Sequence, residues 1–371
     1  MGRPLEGLLV VAIEQAVAAP LCTLKLAEAG ARVVKIERDG GETARHYDAT
    51  VHGISSYFTW LNGGKESAVL NLKADDDLAL LRRMLGQADV LVQNLAPGAL
   101  DRMGMDAAAL SALNPRLIAV SICGYGRETD YADMRAYDML VQAEAGVCSL
   151  TGSPDEPAKV GVPIADISTG MNAYSAILEA VMERQVSGQG KHIEVSMFDS
   201  LAEWMTVPLL HHEKGGLATE RHGMDHATIY PYGLFKCADG GVILSIQNAR
   251  EWQRLCEQVF ELPDLIADPR FADNPSRSDN RRALDVEIEP WFAARTVEQA
   301  VAALNQADIA FARASEVKDL STHPALRHRH VSLPTGETVR VPRGAGKASA
   351  DGVAPIPALG QHTGAIRNEF G

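Results

Sequence analysis

The chain has 371 residues, 46% hydrophobic and 22% charged, a composition that suits one large or two medium globular domains. A formal charge of −13 excludes a general nucleic-acid binder, which needs a basic face to neutralise phosphates. Five widely spaced cysteines with no CxxC pair point to neither a disulfide framework nor a zinc site, and apolar stretches broken well short of ~20 residues exclude a helical membrane span.

The opening MGRPLEGLLVVAIEQ carries Glu6 and Glu14 and passes straight into a strand-like run, unlike a secretory signal, so a soluble cytoplasmic protein with free thiols is expected. LLVVAI from Leu8 reads as a buried strand, and LCTLKLAEAG as a helix with Pro20 in its first turn and Gly30 at its end. ARVVKIER is a second strand; two apolar strands separated by a helix make a βαβ unit and imply a parallel sheet. The pattern recurs through the strand Glu66 to Leu72, the helix DDDLALLRRMLGQA, the strand Asp89 to Leu95, a helix around ALDRMGMDAAALSALN and the strand Leu117 to Gly126. In VGVPIADISTGMNAYSAILEAVMERQ (Val160 to Gln185) a strand is expected to give way to a helix near Ser168 to Gly170, with Tyr174, Ile177, Leu178, Val181 and Met182 as one core-facing stripe. The strand KHIEVSM and a helix DSLAEWMTVPLL, limited by Pro208, follow.

From about His211 the character changes to charged and Gly-rich loops, a hairpin around Asp239-Gly240-Gly241, and amphipathic helices to about Leu320. The expected fold class is α/β: a Rossmann-like large domain with a parallel sheet, plus a smaller α+β domain. Ala345 to Gly360 has the composition of a linker or surface loop.

A doubly wound sheet suggests a nucleotide-type ligand at the carboxyl ends of its strands. The first turn, Glu14-Gln15-Ala16-Val17-Ala18-Ala19-Pro20, has no GxGxxG, although Glu37 ends the second strand where a ribose-binding acid would stand. Walker A and GxSxG sequences are absent. The eleven histidines form no HExxH or other ligand pattern, so no metal site is assigned. Asp166 remains: a lone carboxylate in an apolar run is solvated, capped, paired or reactive. Its position serves equally an acid offsetting a helix dipole and a nucleophile presented at the carboxyl edge of the sheet.

Several segments in order, EQAVAAPLCTLKLAEAGARVVKIER, NLAPGALDRMG, RAYDMLVQAEAG, VPIADISTGMNAYSAILEA, GQGKHIEVSMFDSL and LGQHTGAI, resemble the family III CoA-transferases, the group that includes formyl-CoA transferase and carnitine CoA-transferase. The resemblance runs along nearly the whole chain. It implies transfer of CoA from an acyl-CoA thioester to a free carboxylic acid through aspartyl anhydride and aspartyl-CoA thioester intermediates, with Asp166 as the catalytic residue. Backbone N–H groups near Ser168 to Gly170 would then face the developing negative charge. CoA enters as substrate, with no permanently bound cofactor.

By the same resemblance CoA is contacted by Ala16, Val17 and Ala18 of the first turn, by Arg38, by Asn94, Leu95, Arg102 and Met103, and on the adenine side by Leu70. Arg135 and Tyr137 fall near the reacting thioester. Arginine forks suit the phosphates. The implied assembly is an interlocked homodimer, with a large domain over 1–205, a small domain over 206–325, and a segment 326–371 returning to the large domain.

This chain departs from formyl-CoA transferase at Val17, where that enzyme has a glutamine, and HGMDHATIYPYG shows no counterpart of its glycine-rich loop. Those departures favour a larger acyl group. Arg45, His46 and the His222 to Tyr232 loop are candidates to meet an acceptor's distal carboxylate, which suggests a short dicarboxylic acid with succinyl-CoA as donor. The rival readings are an α-methylacyl-CoA racemase, which has a histidine base where this chain has the RAYDML segment, and a noncatalytic acyl-CoA-binding protein.

Overall fold

The computed structural model describes residues 2–216, 220–346 and 353–371. The chain divides into two compact units: Met1–Cys148 with Lys159–Leu217 and Arg327–Gly371, and Ser149–Ala158 with Ala218–Leu326. Among the described residues no helix is long and apolar enough to cross a membrane.

The first unit is built on six parallel strands, β1 (Leu9–Ile13), β2 (Arg32–Glu37), β3 (Glu66–Val69), β4 (Val90–Gln93), β5 (Ile118–Cys123) and β6 (His192–Ser196), in the order β3-β2-β1-β4-β5-β6. The inner strands β1, β4 and β5 are near-continuous apolar runs because helices cover both faces. Along β1 the alternation divides the core: Val10 and Ala12 pack on one face, Val11 and Ile13 on the other. The first face is covered by α1 (Ala18–Glu28) and a long helix considered below. α2 (Ser56–Leu61) lies off this sandwich. The opposite face is covered by α3 (Asp75–Gln87), α4 (Ala99–Arg102), α5 (Ala107–Leu113) and the C-terminal helix Thr363–Phe370. The strand order reverses between β1 and β4, which is where open α/β sheets place ligands.

After β5 come α6 (Asp138–Glu144), α7 (Val147–Leu150) and α8 (Ile164–Ser187), the long helix packed on α1. Gly170 makes that packing possible, since a Cβ there would stand 2.6 Å from the Ala18 carbonyl oxygen. α8 ends at Gly188, which takes the left-handed conformation at φ 71°. α9 (Met197–Ala202) and α10 (Thr206–Gly215) follow, and here the sequence expectation is corrected. Pro208 does not limit a helix; it occupies the third residue of α10, where its missing N–H is unpaired in any case.

The last segment pairs β10 (His328–Ser332) with β11 (Thr338–Pro342) and β12 (Val353–Pro355), the strand numbering allowing for three in the second unit. Part of the expected loop at 345–360 is thus a strand, and residues 347–352 lie outside the described residues. The C-terminal end then closes the free edge of β3. His362 Nδ1 accepts the Ser67 N–H at 3.1 Å, and Thr363 Oγ1 accepts the Val69 N–H at 2.9 Å. Two side chains stand in for a seventh strand.

The second unit holds the antiparallel sheet β7 (Tyr232–Cys237), β8 (Gly240–Ser245) and β9 (Ala310–Arg313), with the turn at Asp239-Gly240 joining β7 to β8. Helices Arg281–Ala293 and Val297–Gln306 pack on it around Phe235, Trp252, Phe271 and Phe292.

Candidate active site

No strand leads into Asp166. Residues 159–163 are irregular, and the helix begins at Ile164, so Asp166 lies in the first turn of α8. Pro163 supplies no side-chain cap to this helix. A neighbouring helix does. Asp138 Oδ1, in the first turn of α6, accepts the N–H groups of Ala165 (2.8 Å) and Asp166 (3.3 Å). Because the helix starts early, the Ser168 to Gly170 amides belong to its interior ladder and are not the anion donors the sequence suggested. The Ser168 and Thr169 hydroxyls turn back to the Ala165 carbonyl at 2.9 and 2.6 Å.

The group that favours the charged Asp166 carboxylate comes from the opposite helix: the backbone amide of Ala18, the first residue of α1. Burial and the nearby Asp138 charge push the Asp166 carboxyl up to about 7, and the Ala18 amide opposes them only in part. Among the described residues none of the groups acting on it is a cation. The Tyr47 phenol, pushed up first by burial, also lies within electrostatic reach of Asp166 and Tyr137. Tyr47 was not among the sequence candidates, since a tyrosine after a basic pair carries no positional signal.

The turn that delivers Ala18 is held from below. Ala16 adopts φ 61°, an unfavourable conformation for a side chain bearing Cβ, and its N–H donates to Glu42 Oε2 at 2.8 Å. Asn94 clasps Gln15 at both ends, accepting its N–H at 2.8 Å and donating to its carbonyl at 2.9 Å. Beneath them Glu14 accepts from Lys65 at 2.7 Å, Lys35 at 3.1 Å and the Thr23 hydroxyl, while Lys35 also reaches Glu42 at 2.8 Å. Burial alone would raise the Glu14 carboxyl; the two lysines overcome it and hold it at about 2. Glu14 after β1, Lys35 within β2, Glu42 beyond it and Lys65 before β3 therefore form one buried ionic lattice under the β1–α1 turn.

Beside that turn a cavity of about 800 Å³ opens at the carboxyl ends of β1, β2 and β3. It is lined by Glu14, Gln15, Arg38, Leu70, Lys73, Leu95 and Arg367 among others. Of the sequence candidates, Arg38, Leu70 and Leu95 line it, and Arg38 Nε is steadied by the Gly41 carbonyl at 2.8 Å. Asn94 lies next to it as the Gln15 clasp. Arg102 does not line it; its guanidinium donates to the Pro97 carbonyl at 3.2 Å, and Met103 packs against the core under the sheet. The Val17 side chain points into an apolar cluster with Leu21, Leu24 and Leu61. Tyr137 is 68% exposed at the start of α6, two residues after the exposed Arg135.

The reading of Arg45 and His46 as acceptor-binding residues is corrected. Arg45 is bound twice to Glu37, at 2.7 Å each, and lies 3.8 Å from the Phe58 ring, so its charge is already neutralised and cannot meet an acceptor acid. Glu37 is spent on Arg45 and Ser67 instead of a ribose. His46 turns to the Gly40 carbonyl at 3.0 Å. Lys73 and Arg367 line the cavity unforeseen; Lys73 follows a strand end, a legible position, whereas Arg367 arrives from the far end of the chain.

Residues 5–363 match the profile of CoA-transferase family III. The chain is 34% identical over 336 residues to an acetyl-CoA:oxalate CoA-transferase of Acetobacter aceti, a match covering 90% of this chain and 86% of that one. It is 29% identical over 377 residues to a succinyl-CoA:glutarate CoA-transferase of Mus musculus, covering 99% and 86%. Its fold matches the crystal structure of a CAIB/BAIF family protein from Brucella suis with a TM-score of 0.85 at 30% identity, each chain covered in full. The unusual combination of a Rossmann order without its glycine fingerprint and a carboxylate raised at the sheet-covering helix thus has a family to sit in: the chain belongs to CoA-transferase family III.

Proposed function

We propose that this enzyme moves CoA from succinyl-CoA to a short dicarboxylic acid, with Asp166 as the group that carries the acyl unit. The observation that supports this reading most directly is a carboxylate pushed up to about 7 by burial and by Asp138, opposed by the Ala18 amide and, among the described residues, by no cation. Such a carboxylate is a stronger base and nucleophile than a solvated one, and at neutral pH a large fraction is ionised. The carboxylate oxygen attacks the thioester carbonyl carbon, the C–S bond breaks, and CoA thiolate leaves behind a mixed anhydride. The thiolate then attacks the aspartyl carbonyl, releasing the donor acid and forming an aspartyl-CoA thioester. The acceptor carboxylate displaces CoA to give a second anhydride, and thiolate attack on its acyl carbon releases the new acyl-CoA and restores Asp166.

CoA on this reading lies in the cavity between β1, β2 and β3, with Arg38 toward a phosphate and Leu70 and Leu95 along its apolar parts, and its pantetheine arm crosses the Gln15–Ala18 turn to reach Asp166. Arg102 and Arg135 stay candidates for the outer phosphates or the acceptor, and Tyr137 for the acyl oxygen. The acetyl-CoA:oxalate and succinyl-CoA:glutarate enzymes similar to this chain support a dicarboxylic acceptor. Met139 and Leu140 of α6, Met171 and Met182 of α8, and Val207, Leu209 and Leu210 of α10 are exposed apolar side chains that a second copy would cover, which supports the homodimer. Five free thiols fit a reducing cytoplasm.

Incubation with succinyl-CoA and a panel of oxalate, glutarate, mesaconate and monocarboxylic acids, read by product mass, tests the substrates. Trapping mid-turnover with hydroxylamine or borohydride tests the carrier: residue 166 is expected to carry the mass change, and modification of another residue with 166 untouched sinks the assignment.

A further inference from the structure

The start of α8 hangs on one amide that takes no part in the chemistry above. Gln142, fully buried one turn along α6 from Asp138, donates from Nε2 to Asp138 Oδ2 at 2.7 Å, while its Oε1 accepts the Val160 N–H at 2.9 Å. Asp138 Oδ1 in turn holds the Ala165 and Asp166 amides. One side chain therefore fixes both the acid that caps α8 and the irregular segment that leads into it. We propose that Gln142 is a positioning residue that, through Asp138, sets where Asp166 stands relative to the Ala18 amide. This rests on the reading of Asp166 as nucleophile.

The logic is geometric. α8 has no side-chain cap of its own, so its first turn takes its place from α6. Asp138 spends one oxygen on that turn; its other oxygen, half-buried, is held among the described residues by Gln142 alone. Without the Gln142 amide the Asp138 carboxylate is free to rotate toward solvent, and the Ala165 and Asp166 N–H groups lose their acceptor. A displacement of about 1 Å at a nucleophile costs on the order of 100-fold in rate. The groups facing Asp166 are Asp138 from α6, Tyr47, which follows the short 3-10 turn Thr43–His46, and the Ala18 amide, while α9 contributes apolar Met197 and Leu201 beside Ala165.

Two substitutions test this, with Asp166→Ala beside them. Gln142→Leu removes these hydrogen bonds, together with the long one from Nε2 to the Val162 carbonyl at 3.5 Å, at similar volume; kcat is expected to fall roughly 10- to 100-fold while KM for acyl-CoA stays within about twofold. Gln142→Glu keeps an acceptor for Val160 and, when protonated, a donor to Asp138. The wild-type to variant ratio in kcat should therefore grow as pH rises and the new carboxyl ionises against Asp138. An unchanged kcat in the leucine variant, or a ratio flat from pH 5 to 9 in the glutamate variant, overturns the proposal; the glutamate variant decides if the leucine variant does not fold. Should Asp166→Ala keep turning over, the nucleophile assignment falls first; should it be dead while both Gln142 variants match wild type, the positioning role alone falls.

Discussion

Around β1 and β2, three carboxylates lie out of water next to cations: Glu14 with Lys35 and Lys65, Glu42 with Lys35, and Glu37 with Arg45. At the start of α8, Asp166 is half-buried next to another carboxylate. Glu14 is held at about 2 and Glu37 below its ordinary range, whereas Asp166 stands at about 7. Loss of water thus has opposite outcomes in the two places. Where countercharge accompanies it, acids lock backbone, as Glu42 locks Ala16; where countercharge is withheld, an acid is kept in a destabilised state that a reaction can relieve.

The sharpest way to break this comparison is Glu14→Gln. It leaves two buried ammonium groups short of their shared partner and should cost about 3–5 kcal/mol, read by chemical denaturation at pH 7. A variant within about 1 kcal/mol of wild type would show the lattice to be incidental. The pH dependence follows the same sign. The folded-state value of Glu14 is lowered, so its contribution is present above the unfolded value near ~4.3 and is lost as pH falls toward about 2. Wild-type stability should therefore drop more steeply than that of the variant between pH 4 and 2.

Asp166→Asn should move stability the other way. The folded-state value is raised, so the penalty is complete above about 7 and absent below the unfolded value near ~3.9. The variant should be more stable than wild type by about 1–3 kcal/mol at pH 8, the gap closing as pH falls from 7 to 4. A variant less stable than wild type at pH 8 would place Asp166 with the structural acids. Arg38→Ala leaves both sets of carboxylates intact and should weaken CoA binding by roughly 1–3 kcal/mol by calorimetry. Arg102→Ala should change it less, since that guanidinium stands outside the cavity. Thr363→Ala, removing the acceptor of one edge amide, is expected to cost about 1 kcal/mol of stability without altering kcat.

The parallel sheet was legible because β1, β2, β4 and β5 are apolar runs separated by helix-length segments, and the family was legible because its motifs are local. Asp166 was findable as the one charge in an apolar stretch. Its environment was not. Asp138, Gln142 and Ala18 stand on other elements, and Glu14 with Lys65 is a pair 51 residues apart, so no local pattern announces them. Lys35 illustrates the limit: in the sequence it interrupts a strand as a surface residue would, yet it is fully buried because two glutamates wait beneath it. The strand expected before Asp166 failed for a related reason. Val160 to Pro163 is apolar enough for a sheet, but its backbone is tied to the Gln142 side chain and ends in a proline, which leaves no neighbour for a ladder.

The closure of β3 by His362 and Thr363 reaches 295 residues along the chain to its donor at Ser67. Shortening the protein by even its last ten residues would strip that border bare and offer a ready template for strand exchange between molecules, while also removing the Arg367 wall of the cavity. With Phe370 buried against the core, a purification handle is safer at the amino end than after Gly371.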